Sequence, residues 1–144
     1  MKINNSIFAL LLSICVSCQS PGYFQTSETF PPSDDLNDAL LKDIVVTVQN
    51  NFLPAKTRFF FPHSGEKLAV ALEASLRKYG YALSLDAKHR EKNDLQLGYK
   101  YSEIEPSVFV LRVVIGEAFQ INRLYQQTKE GEYLAAGPIL IRKG

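Results

Sequence analysis

Apolar residues recur every four positions from Leu36 through Leu40 and Ile44 to Val48, with Leu41, Val45 and Phe52 widening the stripe. That spacing returns to one face of an α-helix. Ser33 offers an N-cap, Asp34 and Asp35 suit the positive end of the helix, and Pro54 ends it. The β-branched content of "DIVVTVQ" is also compatible with a strand, but the four-residue recurrence predicts a helix. A second stripe, Leu68, Leu72, Leu76 and Tyr79, predicts another helix, capped by Ser64 and closed by a left-handed Gly80.

Other segments alternate with the period of two that a strand imposes. "TRFFFP" reads as a short strand ending at Pro62. Phe59 and Phe61 are expected in the core, with Phe60 packed under a helix or lying at an edge; the other use of these rings is a partner-binding patch that includes Phe60. "YALSL" is a strand, and "DAKHREKND" a long solvated turn. "LQLGYKY" places Leu95, Leu97, Tyr99 and Tyr101 on one face and Gln96, Gly98 and Lys100 on the other. "VFVLRVVIG" is apolar on both faces apart from Arg112, as a central strand is. "FQINRLYQ" and "YLAAGPILIRKG" complete the set, with turns at Glu105-Pro106-Ser107, Gly116 and "KEGE".

The order predicts an α+β domain: two helices packed on one face of a largely antiparallel sheet of four to six strands. Neither an internal repeat nor a coiled-coil heptad is present. Ahead of this domain, residues 19–33 are rich in Ser, Thr and Pro and lack a sustained period, which is the composition of an extended linker. At ~3.3 Å per residue it reaches ~50 Å when fully extended. Its aromatic residues Tyr23, Phe24 and Phe30 serve either a partner protein or packing against the chain's own domain.

The first residues carry a different signal. Lys2 precedes an apolar run, Ile7 to Leu12, that continues through Ile14 to Val16 before small residues follow, the layout of an export signal. About ten apolar residues cover only ~15 Å of helix, half of a ~30 Å hydrocarbon core, so a transmembrane helix is not expected. Both cysteines lie at the end of this run. Val16-Ser17-Cys18 resembles the last three positions of a bacterial lipobox, making Cys18 the candidate lipid carrier. Lipoboxes usually have Leu three residues before the cysteine, where this chain has Cys15; lipidation at Cys15 would restore Leu12 there but place bulky Ile14 before the cysteine. A plain secretory signal with a Cys15–Cys18 disulfide is the further alternative.

Cleavage before Cys18 would discard Cys15 and leave one thiol in an exported protein, and a thioether to diacylglycerol resolves that difficulty. Three acyl chains, at roughly 0.8 kcal/mol per buried methylene, make such anchoring close to permanent. By analogy with enteric bacteria, Gln19 after the cysteine is compatible with sorting to the outer membrane. The expected organisation is a lipoprotein signal at 1–17, a lipidated N-terminus and linker at 18–33, and a single α+β domain at 34–144.

Hydrophobic residues make up 46% and charged residues 22% of the 144, values ordinary for one packed domain. The formal charge of +1 includes Lys2, so a chain beginning at Cys18 is formally neutral. Electrostatics therefore gives no case for direct nucleic-acid binding. The domain has His63 and His89 and no cysteine, and within it HExxH, CxxC, P-loop and GxSxG patterns are absent. His63 reads as a surface or hydrogen-bonded residue, His89 as solvated, and Glu103 and Glu105 as solvated turn carboxylates. No catalytic residue, metal site, cofactor or small-molecule substrate is expected.

"VVIGEAFQINRLYQQTKEGEYLAAGPILIRKG", with "LPAKTRFFF" and "LAVALEASLRKYGYAL" upstream, resembles the TrbH family, small lipoproteins of conjugative transfer operons. Arg123-Leu124-Tyr125, Ala136-Gly137 and the closing Arg142-Lys143 carry the likeness, which spans roughly residues 36–143. This chain departs from the family pattern at Pro138-Ile139-Leu140, where an aromatic residue follows the Ala-Gly turn. The resemblance implies a structural or assembly subunit of a type IV secretion apparatus, anchored through Cys18 to the periplasmic face of the outer membrane and bound to other channel subunits. Phe60, Arg123, Tyr125 and Arg142 are the candidate partner contacts. Arg123 and Tyr125 share one sheet face, where cross-strand stacking is the plainer alternative. The rival assignments are an accessory lipoprotein of a lipid transporter or a cell-wall synthesis complex, and a lipid-anchored hydrolase.

Overall fold

The computed structural model describes residues 26–144. Its elements run β1 (Ser27–Glu28), α1 (Asp34–Asn51), a 3-10 turn (Pro54–Lys56), β2 (Arg58–Phe60), α2 (Lys67–Lys78), β3 (Ala82–Ser84), a second 3-10 turn (Ala87–His89), β4 (Leu95–Glu105), β5 (Val108–Ile115), β6 (Phe119–Gln127), β7 (Tyr133–Ala135) and β8 (Leu140–Lys143). The expected class, an α+β domain with two helices, is what forms.

Ser33 caps α1 as expected, its hydroxyl accepting from the Leu36 N–H at 3.3 Å. The four-residue stripe of α1 is fully buried, so "DIVVTVQ" is helical because its apolar residues have a core to enter at that period. For α2, Leu68, Leu72 and Leu76 are buried as predicted, and Gly80 takes φ +86. Two details differ. Glu66, not Ser64, stands at the N-cap, because the left-handed Gly65 turns the chain and Ser64 donates its N–H to the Glu66 carboxylate at 2.9 Å. Tyr79 falls at the C-cap and is 47% exposed; Tyr81, past the glycine, enters the core instead.

The strand order is β3-β2-β4-β5-β6-β7, with β1 also beside β4 and β8 also beside β6. The long strands β4, β5 and β6 form an antiparallel meander. The short strands join in parallel: β1 and β2 both lie along β4, and β3 lies along β2. A helix follows each of β1 and β2, and crossing a helix between neighbouring strands returns the chain in the same direction. The sheet is therefore mixed and has eight strands among the described residues. The two additional strands come from β1, within the expected linker, and from the C-terminal segment, which divides into β7 and β8.

Both helices cover the face that carries Leu97, Tyr99, Tyr101, Phe109, Leu111, Val113, Ile115, Phe119, Ile121 and Tyr125, and together they make one hydrophobic core. Full burial of each Leu, Ile or Val there contributes roughly 1.5–3 kcal/mol. Phe59 and Phe61 belong to this core. Phe52 closes one end, edge-to-face on Phe59 and Phe119 at 5.9 and 5.2 Å.

Candidate functional site

The N-terminal segment enters the domain as a strand. Ser27 and Glu28 pair with Lys100 and Tyr101, on the part of the β4 edge that the three-residue β2 leaves free. The Tyr99 hydroxyl donates to the Glu28 carboxylate at 2.6 Å, and the Tyr101 hydroxyl donates to the Phe30 carbonyl. Thr29 returns a bond from its Oγ1 to the Tyr101 carbonyl at 3.0 Å. The Phe30 ring packs on Tyr101 and Phe109 at 5.4 and 5.5 Å. Of the two uses weighed for Phe30, packing against its own domain is the one the structure shows. Burial, reinforced by the Glu28 carboxylate, pushes the Tyr99 hydroxyl far above its ordinary pKa, so it stays a donor. Tyr23 and Phe24 lie outside the described residues, as do Cys15 and Cys18.

Arg123 and Tyr125 point to the same face, as alternation requires, and converge on Asp43 in the middle of α1. Arg123 Nε lies 2.8 Å from Asp43 Oδ2, and the Tyr125 hydroxyl donates to the same oxygen. Tyr125 is buried and the Arg123 side chain is 20% exposed. The pair thus ties β6 to α1. Phe60 is also buried, with the Arg90 guanidinium over its ring at 4.8 Å. The adjoining turn is partly folded in as well, because buried Asp94 lies 3.1 Å from Arg58 Nε and accepts the Glu91 N–H at 2.9 Å. Arg142 is exposed on β8, opposite Gln120.

The C-terminal strands form a sheet edge. β7 pairs with Tyr125 to Gln127, and β8 with Phe119 to Asn122, both antiparallel to β6. They act as one strand interrupted by residues 136–139, where the register slips by two. Gly137, at φ +137, and Pro138, which has no N–H to give, account for the break. Leu134, Leu140 and Ile141 are 56%, 63% and 47% exposed along this edge.

His63 is half-buried and hydrogen-bonded. Its Nδ1 accepts the Gly65 N–H at 3.2 Å, which fixes the proton on Nε2 for donation to Glu73 at 3.1 Å. Arg77 Nε donates to the other Glu73 oxygen at 2.8 Å, and this bond holds the carboxyl below the usual glutamate range. His89 is exposed, and Glu103 accepts the N–H of Ser107, which sits at φ +65 in the β4–β5 turn. Among the described residues no group of three His, Cys, Asp or Glu is placed to hold a metal ion, and no helix is long and apolar enough to cross a membrane. An open cleft of about 340 Å³ between Phe52, Leu95, Ile115 and Phe119 has Glu117 and Lys143 at its border. The rest of its wall is mostly apolar.

What sequence reasoning missed is the set of anchors. Glu28, Phe30 and Asp43 receive the tyrosines, and each is more than seventy positions from its partner. The only signal was the presence of tyrosine, not phenylalanine, at core-facing positions, since a buried hydroxyl needs an acceptor.

Residues 19–144 match a family model described as conjugal transfer protein TrbH. No curated protein and no solved structure matches the chain.

Proposed function

Because the chain belongs to the TrbH family of conjugal transfer proteins, we propose that it is an envelope-anchored assembly subunit of the transfer apparatus. It performs no catalysis itself. Cys18 carries the lipid that holds it to the periplasmic face of the outer membrane, and the α+β domain binds other components of a type IV secretion channel. The family match carries this reading, since it spans the whole domain together with the segment leading into it.

The geometry supports a tethered adaptor. The segment from Cys18 joins the sheet at β1, beside β4, while the irregular β7–β8 edge lies across β5 and β6. At ~4.8 Å per strand, four spacings separate tether from edge by roughly 19 Å, so membrane attachment leaves that edge free. Addition of a partner strand there would draw affinity from backbone hydrogen bonds. Gly137, Pro138 and the closing Arg142-Lys143 discourage indiscriminate pairing, as edge strands commonly do.

Metabolic labelling with palmitate in the native host tests the anchor. Label on the full chain and none on Cys18→Ser is the expected result. Label that persists in Cys18→Ser and disappears in Cys15→Ser would move the anchor, and absence of label in all forms would remove it.

A further inference from the structure

The sheet has a second face that no described helix covers. In register across it stand Lys100, Arg112, Asn122 and Leu140 in one row, Gly98, Val114, Gln120 and Arg142 in the next, and Ser102, Val110 and Leu124 on the other side. Val108, Gln126 and Leu134 follow. The valines explain why β5 reads as apolar on both faces: it is central in the sheet, yet only one of its faces is buried. Leu124, Leu134 and Leu140 are 39%, 56% and 63% exposed, so aliphatic side chains from three rows of this face meet solvent.

The charges on this face are unbalanced. Lys100 and Arg112 are directly opposite one another on neighbouring strands, an arrangement of like charges that weakens a sheet. Arg112 is held on the face by Asn122, whose Oδ1 accepts from its Nε at 3.2 Å. Arg142 adds a third cation two strands away. The one acidic strand position of β4 to β8 on this face is Glu105, opposite Val108 at the far end of β4, and among the described residues no carboxylate pairs with Lys100, Arg112 or Arg142.

We infer that this face is a docking surface for an amphipathic helix of another protein, one that sets Asp or Glu beside an aliphatic stripe. Carboxylates over the Lys100–Arg112 pair would relieve the repulsion that the free domain retains, and Val110, Val114, Leu124 and Leu140 would receive the stripe. A helix fits because the backbone groups of this face are already spent within the sheet. A lone extended segment would leave its own amides unpaired against such a surface, whereas a helix arrives satisfied. An anionic membrane fits less well: three cations give it little attraction, and the strand positions of the face offer no aromatic ring to enter the interface. The inference rests on the reading of the domain as a subunit that binds other proteins, and not on the lipid anchor.

The test uses the full chain in detergent and a fluorescent designed helix with a leucine stripe flanked by glutamates, beside the same peptide with lysines. Anionic phosphatidylglycerol vesicles and a short DNA duplex serve as rival probes. The glutamate peptide should bind at least about tenfold more tightly than the lysine peptide, and Lys100→Glu with Arg112→Glu should abolish that preference. Lys100→Glu alone should melt no lower than the parent, because it places opposite charges in register. Equal binding of the two peptides, a preference indifferent to the substitutions, or a lower melting temperature for Lys100→Glu would overturn the inference. So would vesicle or DNA binding that the double substitution removes while peptide binding persists. The readout is independent of palmitate labelling, so failure of the anchor and failure of this surface are distinguishable.

Discussion

The hydroxyl of Tyr99, buried beneath the sheet, donates a 2.6 Å hydrogen bond to the Glu28 carboxylate in the two-residue strand through which the N-terminal segment joins the domain. A strand that short has little pairing energy of its own. The tyrosine hydroxyls and the Phe30 ring are what hold it against β4. Tyr99→Phe should therefore lower stability by about 1.5–3 kcal/mol, the usual worth of a hydrogen bond to a charged group. Amide exchange at residues 27–30 should quicken first. Unchanged exchange there would mean that the hydroxyl does not secure the tether.

Asp43 gathers two β6 side chains onto α1, so its loss leaves a buried phenol without its acceptor and a mostly buried guanidinium without its counter-ion. Asp43→Ala should cost about 2–4 kcal/mol in chemical denaturation. A double-mutant cycle with Tyr125→Phe should give a coupling of about 0.5–3 kcal/mol. Additive effects would show that the two residues act independently.

Stability should fall at both ends of the pH range. Arg77 lowers the Glu73 pKa in the folded chain, so the contribution of Glu73 is complete above the ordinary value of 4.5 and is lost as pH falls through the lowered folded value. Glu73→Gln should flatten that acid limb. Burial raises Tyr99 and Tyr125 above their ordinary value of 10. Their contribution is complete below pH 10 and declines as the unfolded chain ionises and the folded chain does not, giving an alkaline limb that Tyr125→Phe should reduce. Melting temperatures recorded across pH in the parent and both variants check this.

Gly80 ends α2 at φ +86, and a Cβ there would meet only Pro54 at 3.8 Å. Space is available, so the penalty for Gly80→Ala is the left-handed backbone alone, about 1–2 kcal/mol. A larger loss would indicate that the chain path from α2 into Tyr81 had moved.

The helices and the long strands were legible because their periodicities extend over two or more turns or pairs. Leu36 to Val48, Leu68 to Leu76 and the alternation through Tyr99 and Tyr101 each repeat often enough to outweigh local propensity. The same patterns put Arg123 and Tyr125 on one face. They gave no hint of Asp43, since nothing local marks one helical aspartate among several as the partner of a strand far along the chain. β1 escaped notice because two residues cannot display alternation, and a Ser/Thr-rich stretch reads as linker until its acceptors for Tyr99 and Tyr101 are in place. Ser64 resembled a cap by residue type, but the left-handed Gly65 transfers that position to Glu66.

In the role proposed above, this domain is held at the membrane in order to bind other parts of the transfer apparatus. The decisive measurement is mass spectrometry of proteins that co-isolate with the tagged full chain from detergent-solubilised envelopes of its native host. Other conjugal transfer components should be recovered with the parent chain and lost in a Cys18→Ser form. Recovery of lipid-transport or cell-wall synthesis proteins in their place would contradict that role.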